Sequence, residues 1–125
     1  MGTYDDGVVR KFETGATRDT SKDKLDYEGF LSPIVIEEYA KYMHKNRHQS
    51  DGSLRDSDNW QKHFGEFHFD VCIKSMFRHF MDLWKLHRNL KARGDMTEAL
   101  MGILFNVIAY ADKYYKDKIK GEENV

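Results

Sequence analysis

Apolar residues return at helical spacing through most of the second half of this chain, and nowhere do they alternate as a strand requires. Phe69, Ile73, Met76, Phe77, Phe80, Leu83, Trp84 and His87 follow a 3.6-residue period from about Phe67 to about Leu90. That spacing predicts the longest and most aromatic helix, and makes its apolar stripe the expected core. Leu100, Ile103, Leu104, Val107, Ala111 and Tyr114 carry the pattern onto a further helix that opens at Asp95 and ends near Lys118. Asp95 and Glu98 stand three apart as a capping pair, while Lys91-Ala-Arg-Gly94 ends the preceding helix with basic residues and a glycine suited to a left-handed cap. An earlier helix opens at Ser32-Pro33, a cap followed by a residue whose missing N–H costs nothing at the first helical position. It runs to about Arg47 with Ile36, Tyr39, Ala40 and Met43 on one face. With no repeat at a fixed period, the expected fold class is all-α, a small bundle of three main helices.

A core of that size is thin, so self-association into a homo-oligomer is expected. Residues 1–31 mix charges with Gly, Thr, Ser and Asp and show no period, which predicts an extended N-terminal arm. Tyr4, Phe12, Tyr27 and Phe30 are anchors that would lay part of the arm on the helical body or on a neighbouring subunit. The expected organisation is a tail over 1–13, a single domain over 14–118 and a second tail over 119–125. A length of 125 residues leaves no room for a second full domain.

Composition excludes several functions. A net charge of -1 lacks the broad field of a non-specific nucleic-acid coat. The single cysteine, Cys72, permits no intramolecular disulfide and no Cys-rich zinc motif, and its apolar neighbours suit a small buried hydrophobe better than a nucleophile. No stretch approaches the roughly 20 apolar residues of a membrane span, and no export signal opens the chain, so a cytoplasmic protein is expected. His44 and His48 are spaced to share a metal but lack a matched third ligand, and His63, Glu66 and His68 lie across Gly65. Ser75, His79 and Asp82 sit on adjoining turns of one helix and cannot surround a scissile carbonyl as a triad does. The aspartates from Asp51 to Asp58 fail the calcium-loop pattern, and neither phosphate-binding glycine loop occurs.

Two groups remain. Arg18, Lys22, Lys24 and Arg55 lie in Gly/Asp/Ser-rich segments, where flexible backbone beside cationic heads suits phosphate as well as it suits a solvated surface. The connection from Gln49 to Asn59 is long for a small domain, and such loops are often functional. Asn106 sits inside the apolar run Leu100–Tyr110, where a buried amide must find hydrogen-bond partners. With Gly102 and Ala109 it forms a small-residue strip that serves either helix packing or the orientation of a ligand.

In order along the chain, Thr14-Gly-Ala-Thr-Arg-Asp19, Lys24-Leu-Asp-Tyr-Glu-Gly-Phe-Leu-Ser-Pro33, Asp58-Asn59-Trp60, Ser75-Met-Phe-Arg-His79 and Phe105-Asn106 resemble the phage dATP/dGTP diphosphohydrolase N-terminal domain family over about residues 14–115. The resemblance implies an all-α nucleotide-handling protein related to MazG-like pyrophosphohydrolases, encoded by a phage or prophage, with a purine nucleotide or nucleotide-derived signalling molecule as its partner. It implies Arg18, Asp19, Lys24, Asn59, Trp60, His79 and Asn106 near the nucleotide, with Arg18 and Lys24 on phosphate, Trp60 stacked on a base or bracing the loop, and His79 and Asn106 bonding polar groups. Arg55 joins them from the long loop. In the relatives, metal ions held by paired helix carboxylates activate water. The E-x-x-E and E-x-x-D pairs have no counterpart here, and Asp70, Asp82, Glu98 and Asp112 are the carboxylates left, with Asp82 and Glu98 the metal candidates. The expected function is therefore nucleotide binding with little or no turnover. The alternatives are a dATP/dGTP diphosphohydrolase using Mg2+ or Mn2+, and an oligomeric structural helical protein.

Overall fold

A computed structural model describes residues 10–18 and 23–123, so the expectations placed on Tyr4, Asp19 and Lys22 fall outside the described residues. The chain forms two units that divide between Pro33 and Ile34.

The first unit is less uniformly extended than its sequence predicts. β1 (Arg10–Lys11) and β2 (Thr17–Arg18) pair antiparallel, Arg10 opposite Arg18 and Lys11 opposite Thr17. The turn between them closes with Gly15 N–H donating to Phe12 O at 2.9 Å, and Gly15 takes a φ of 87° that a side chain would resist. Strands of two residues have no room for an alternating pattern, which is why none is legible. α1 (Tyr27–Phe30) is a single turn capped by Asp26, whose Oδ1 accepts from Gly29 N–H at 2.9 Å.

The second unit is helical. α2 (Pro33–Lys45) begins at the expected proline and stops two residues short of Arg47. α3 (His68–His87) ends before the expected Lys91–Gly94 segment. Asn89, at φ 59°, takes the left-handed position expected of Gly94, because a short amide side chain tolerates that conformation. Leu90 N–H then donates to Lys85 O at 2.8 Å and Asn89 N–H to Leu86 O at 3.0 Å, the two bonds of a Schellman cap. α4 (Met96–Glu123) opens on the expected cap, Asp95 Oδ1 accepting from Glu98 N–H at 2.9 Å, and stays helical past Lys118 into the segment expected to be a tail. No helix among the described residues is long and apolar enough to cross a membrane.

α3 and α4 pack along a seam of small and polar side chains. Cys72, Ala99, Met101 and Ala109 are its buried apolar part, and His68, Asp82 and Asn106 are buried with them. The ring of His79 lies directly on Gly102, where a Cβ would come within 2.5 Å of Cε1. His68 ties the seam together, for its Nε2 donates to Ala109 O at 2.8 Å while Nδ1 accepts from Phe64 N–H at 3.0 Å. The apolar stripe expected to be the core is divided: Phe69, Met76 and Leu83 are half-buried, Phe69 with its ring 4.7 Å from Tyr110 of α4, and the rest faces outward. Ile73, Phe77, Phe80 and Trp84 are exposed. Spacing establishes that α3 is amphipathic, but the close approach of α4 needs small residues and selects the other face.

Candidate functional site

The long connection after α2 folds into a closed hairpin. Arg55 N–H donates to Arg47 O at 2.9 Å, His48 and Leu54 form an isolated antiparallel bridge, and Gln49 N–H donates to Ser53 O at 2.9 Å. Gly52 turns the chain at φ 87°, and Asp51 Oδ1 accepts from Ser53 N–H at 2.9 Å and from its hydroxyl at 2.6 Å. Those serine hydrogen bonds hold the Asp51 carboxyl below its ordinary value.

Closing the hairpin sets two arginines side by side. Arg47 Nε donates to Arg55 O at 2.7 Å, and Arg55 Nη1 donates to Asn46 O at 2.9 Å. Each guanidinium spends one of its five N–H donors on backbone and keeps the others for an anion. Asn46 is itself fixed, Nδ2 donating to Tyr42 O at 2.9 Å across the end of α2.

The opposite wall is aromatic. A 3-10 turn over Asn59–Lys62 presents Trp60 edge-on to Phe105 of α4, with centroids 6.3 Å apart, and Phe64 lies 6.3 Å from the same ring. Phe64 also stacks on His68 at 5.1 Å. The turn is pinned to α4 at its far end, where His63 Nε2 meets Asp112 Oδ2 at 2.9 Å and Lys116 Nζ bonds both Asp112 Oδ2 at 2.9 Å and Gln61 Oε1 at 3.2 Å. His63 adopts φ 67° and ψ 172°, a region normally left to glycine. Burial raises the Asp112 carboxyl, but Lys116 and His63 more than offset it and the net shift is downward.

Between the arginines and the aromatic wall lies a cavity of about 440 Å³, bounded also by Tyr42, Met43, Asp56 and Asn59. That volume is in the range of small-molecule sites, which are typically about 300–1,000 Å³. Burial raises the Tyr42 phenol, and Glu98 adds to the shift, so its hydroxyl stays a neutral donor near pH 7. The arrangement offers cationic donors at one side, a stacking surface at the other, and amide and carboxylate groups between them.

Of the residues expected at a site, Arg55, Asn59 and Trp60 line this cavity together. His79 and Asn106 lie instead in the α3–α4 seam, where Asn106 Nδ2 donates to Gly102 O at 2.7 Å and Ser75 Oγ at 3.1 Å. Arg18, at the end of β2, and Lys24, before α1, are exposed in the first unit. Asp82 is held by Arg93, with Nη2 at 2.8 Å and Nε at 3.0 Å from Oδ2, and Glu98 accepts from Lys45 Nζ at 2.8 Å. Sequence reasoning missed Arg47, Asn46, Tyr42 and Phe64. The signal available for Arg47 was its position opposite Arg55 across a run of turn formers, the pattern of paired hairpin ends. No family model, curated protein or solved structure matches this chain.

Proposed function

We propose that this protein binds a purine nucleotide, or a nucleotide-derived signalling molecule, in the cavity between the Arg47–Arg55 hairpin and the Trp60 wall, and holds it with little or no turnover. The observation that carries the reading is the pairing of two arginines with an aromatic wall around about 440 Å³. Guanidinium forks match phosphate oxygens, and a base stacks on an indole or phenyl face. Asp56 and Asn59 supply the acceptors and donors that an exocyclic amine, a ring nitrogen or a ribose hydroxyl requires. The resemblance to the phage dATP/dGTP diphosphohydrolase family supports a purine and a phage-encoded protein acting in a bacterial cytoplasm. Binding without efficient hydrolysis is supported by the carboxylates at hand: Asp56 is the one that lines the cavity, against the paired carboxylates by which the relatives hold metal ions, and Asp82 and Asp112 lie outside it, each engaged by a cation of the chain itself, Arg93 and Lys116.

The test is incubation of the protein with purine nucleoside mono- and triphosphates and cyclic purine nucleotides, with and without Mg2+ or Mn2+. Chromatography before and after heat denaturation follows each one. The expected result is a nucleotide that leaves the free pool and returns intact. Arg55→Ala and Trp60→Ala should each weaken its binding about tenfold or more, since a charge-assisted bond or a base stack is worth roughly 1–3 kcal/mol. Metal-dependent conversion of dATP or dGTP to monophosphate and pyrophosphate would replace sequestration by hydrolysis, and retention of no nucleotide would remove the reading altogether.

A further inference from the structure

The outward face of α3 carries a seam that nothing in the second unit covers. Ile73, Phe77, Phe80, Met81 and Trp84 are 40%, 65%, 52%, 45% and 51% exposed. Four of them, Ile73, Phe77, Phe80 and Trp84, are spaced four, three and four apart, which is the interval of side chains that interlock between two helices. At 3.6 residues per turn this seam lies on the far side of α3 from His68, Cys72 and His79, which meet α4. Near the end of α3 the seam opens into a groove of about 530 Å³ between Met81, Trp84 and Leu90.

We infer that this seam pairs with the same seam of a second copy, the two α3 helices running antiparallel about a two-fold axis between Phe77 and Phe80. The stripe is self-complementary in that arrangement, since Phe77 meets Phe80 of the other copy and Ile73 meets its Trp84. Of the charges that flank the seam the two nearest it agree, while Lys74 and Lys85 sit farther round the helix. Asp70 in the first turn of α3 comes beside Arg88 at the end of the other α3, and both are exposed and join no ion pair among the described residues. A parallel pairing would instead set Asp70 beside Asp70 and Arg88 beside Arg88. The area also suffices. Five large side chains about half exposed offer on the order of 500 Å² per copy, or about 1,000 Å² for the pair, the size at which specific interfaces begin, before the flanking residues are added.

Sedimentation equilibrium on the full chain tests the inference, with helix content followed by circular dichroism. The expected result is a dimer whose dissociation on dilution is strongly promoted by the double variant Phe77→Glu with Phe80→Glu, at unchanged helix content. Asp70→Arg and Arg88→Asp should each weaken the dimer several-fold, and the two together should restore it, because the reversed charges meet across the two-fold axis. A monomer at every concentration would overturn the inference and leave the face to the N-terminal segment or to another protein. A dimer indifferent to the phenylalanine substitutions would place the interface elsewhere, and failure of the charge reversals to compensate would overturn the antiparallel register.

Discussion

At the scale of single residues, the buried polar groups of the helical unit differ in how well they are met. His68 is fully buried and uses both ring nitrogens, one as donor and one as acceptor. The Tyr39 hydroxyl is buried with no hydrogen-bond partner among the described residues. Burial, with Tyr42 adding to it, pushes the Tyr39 phenol up to about 12, so it remains a neutral donor with nothing to bond. An unmet buried hydroxyl costs about 1–3 kcal/mol, and removing it while keeping the ring avoids that cost without opening a cavity. Tyr39→Phe should therefore be neutral or stabilise by up to about 1–2 kcal/mol in urea unfolding. A clear loss of stability would mean that the hydroxyl is bonded in solution.

At the scale of elements, the α3–α4 seam depends on one glycine. Glycine inside a helix ordinarily costs about 1 kcal/mol against alanine. At Gly102 the sign reverses, because a Cβ would lie 2.5 Å from His79 Cε1 and Nδ1 and 2.6 Å from Cγ, so the whole ring has to move. Gly102→Ala should destabilise by about 1–3 kcal/mol, and much of that loss should vanish in a His79→Ala background. Strict additivity of the two substitutions would show that the ring is not what excludes the methyl group. The same seam separates what the sequence made legible from what it did not. The long helices announce themselves because Phe69 to Trp84 and Leu100 to Tyr114 repeat at helical spacing. Spacing does not say which face of α3 meets α4, since Cys72, Ser75 and His79 have the same period as the aromatic stripe but less hydrophobicity. Arg55, Asn59 and Trp60 could be singled out because their residue types suit a nucleotide. Their partners Arg47 and Tyr42 do not stand out by residue type, since the backbone pairing of Arg47 with Arg55 brings Arg47 to the cavity, and the run of turn formers between them is its one trace in the sequence.

At the scale of the whole molecule, charged contacts tie the helical unit together where its apolar core is small. Arg93 clasps Asp82 beside the α3–α4 turn, His63 and Lys116 clasp Asp112 toward the other end of α4, and Lys45 joins α2 to Glu98. The exposed Lys45 pair is screened by water and adds little, so the pH response belongs to the more buried groups. The hydrogen bonds from Arg93 hold Asp82 below the ordinary 3.8 against the effect of burial, and Asp112 is also held below 3.8. Both carboxylates therefore contribute stability that is full above that value and lost as pH falls through their lowered folded values. His79 adds an earlier step. Burial, reinforced by Arg93, lowers it from the ordinary 6.5, so the unfolded chain takes up its proton first and stability begins to fall below pH 6.5. The urea midpoint should hold level between that pH and the ordinary 10.0 of the raised Tyr39 and Tyr42 phenols, decline moderately below 6.5, and drop more steeply once the carboxylates protonate below 3.8. Asp82→Asn should lower the midpoint at neutral pH, and its curve should converge with the unsubstituted protein's in acid, where Asp82 is already neutral. Two curves falling in parallel to the lowest pH would mean that the Arg93 clasp is not what acid breaks.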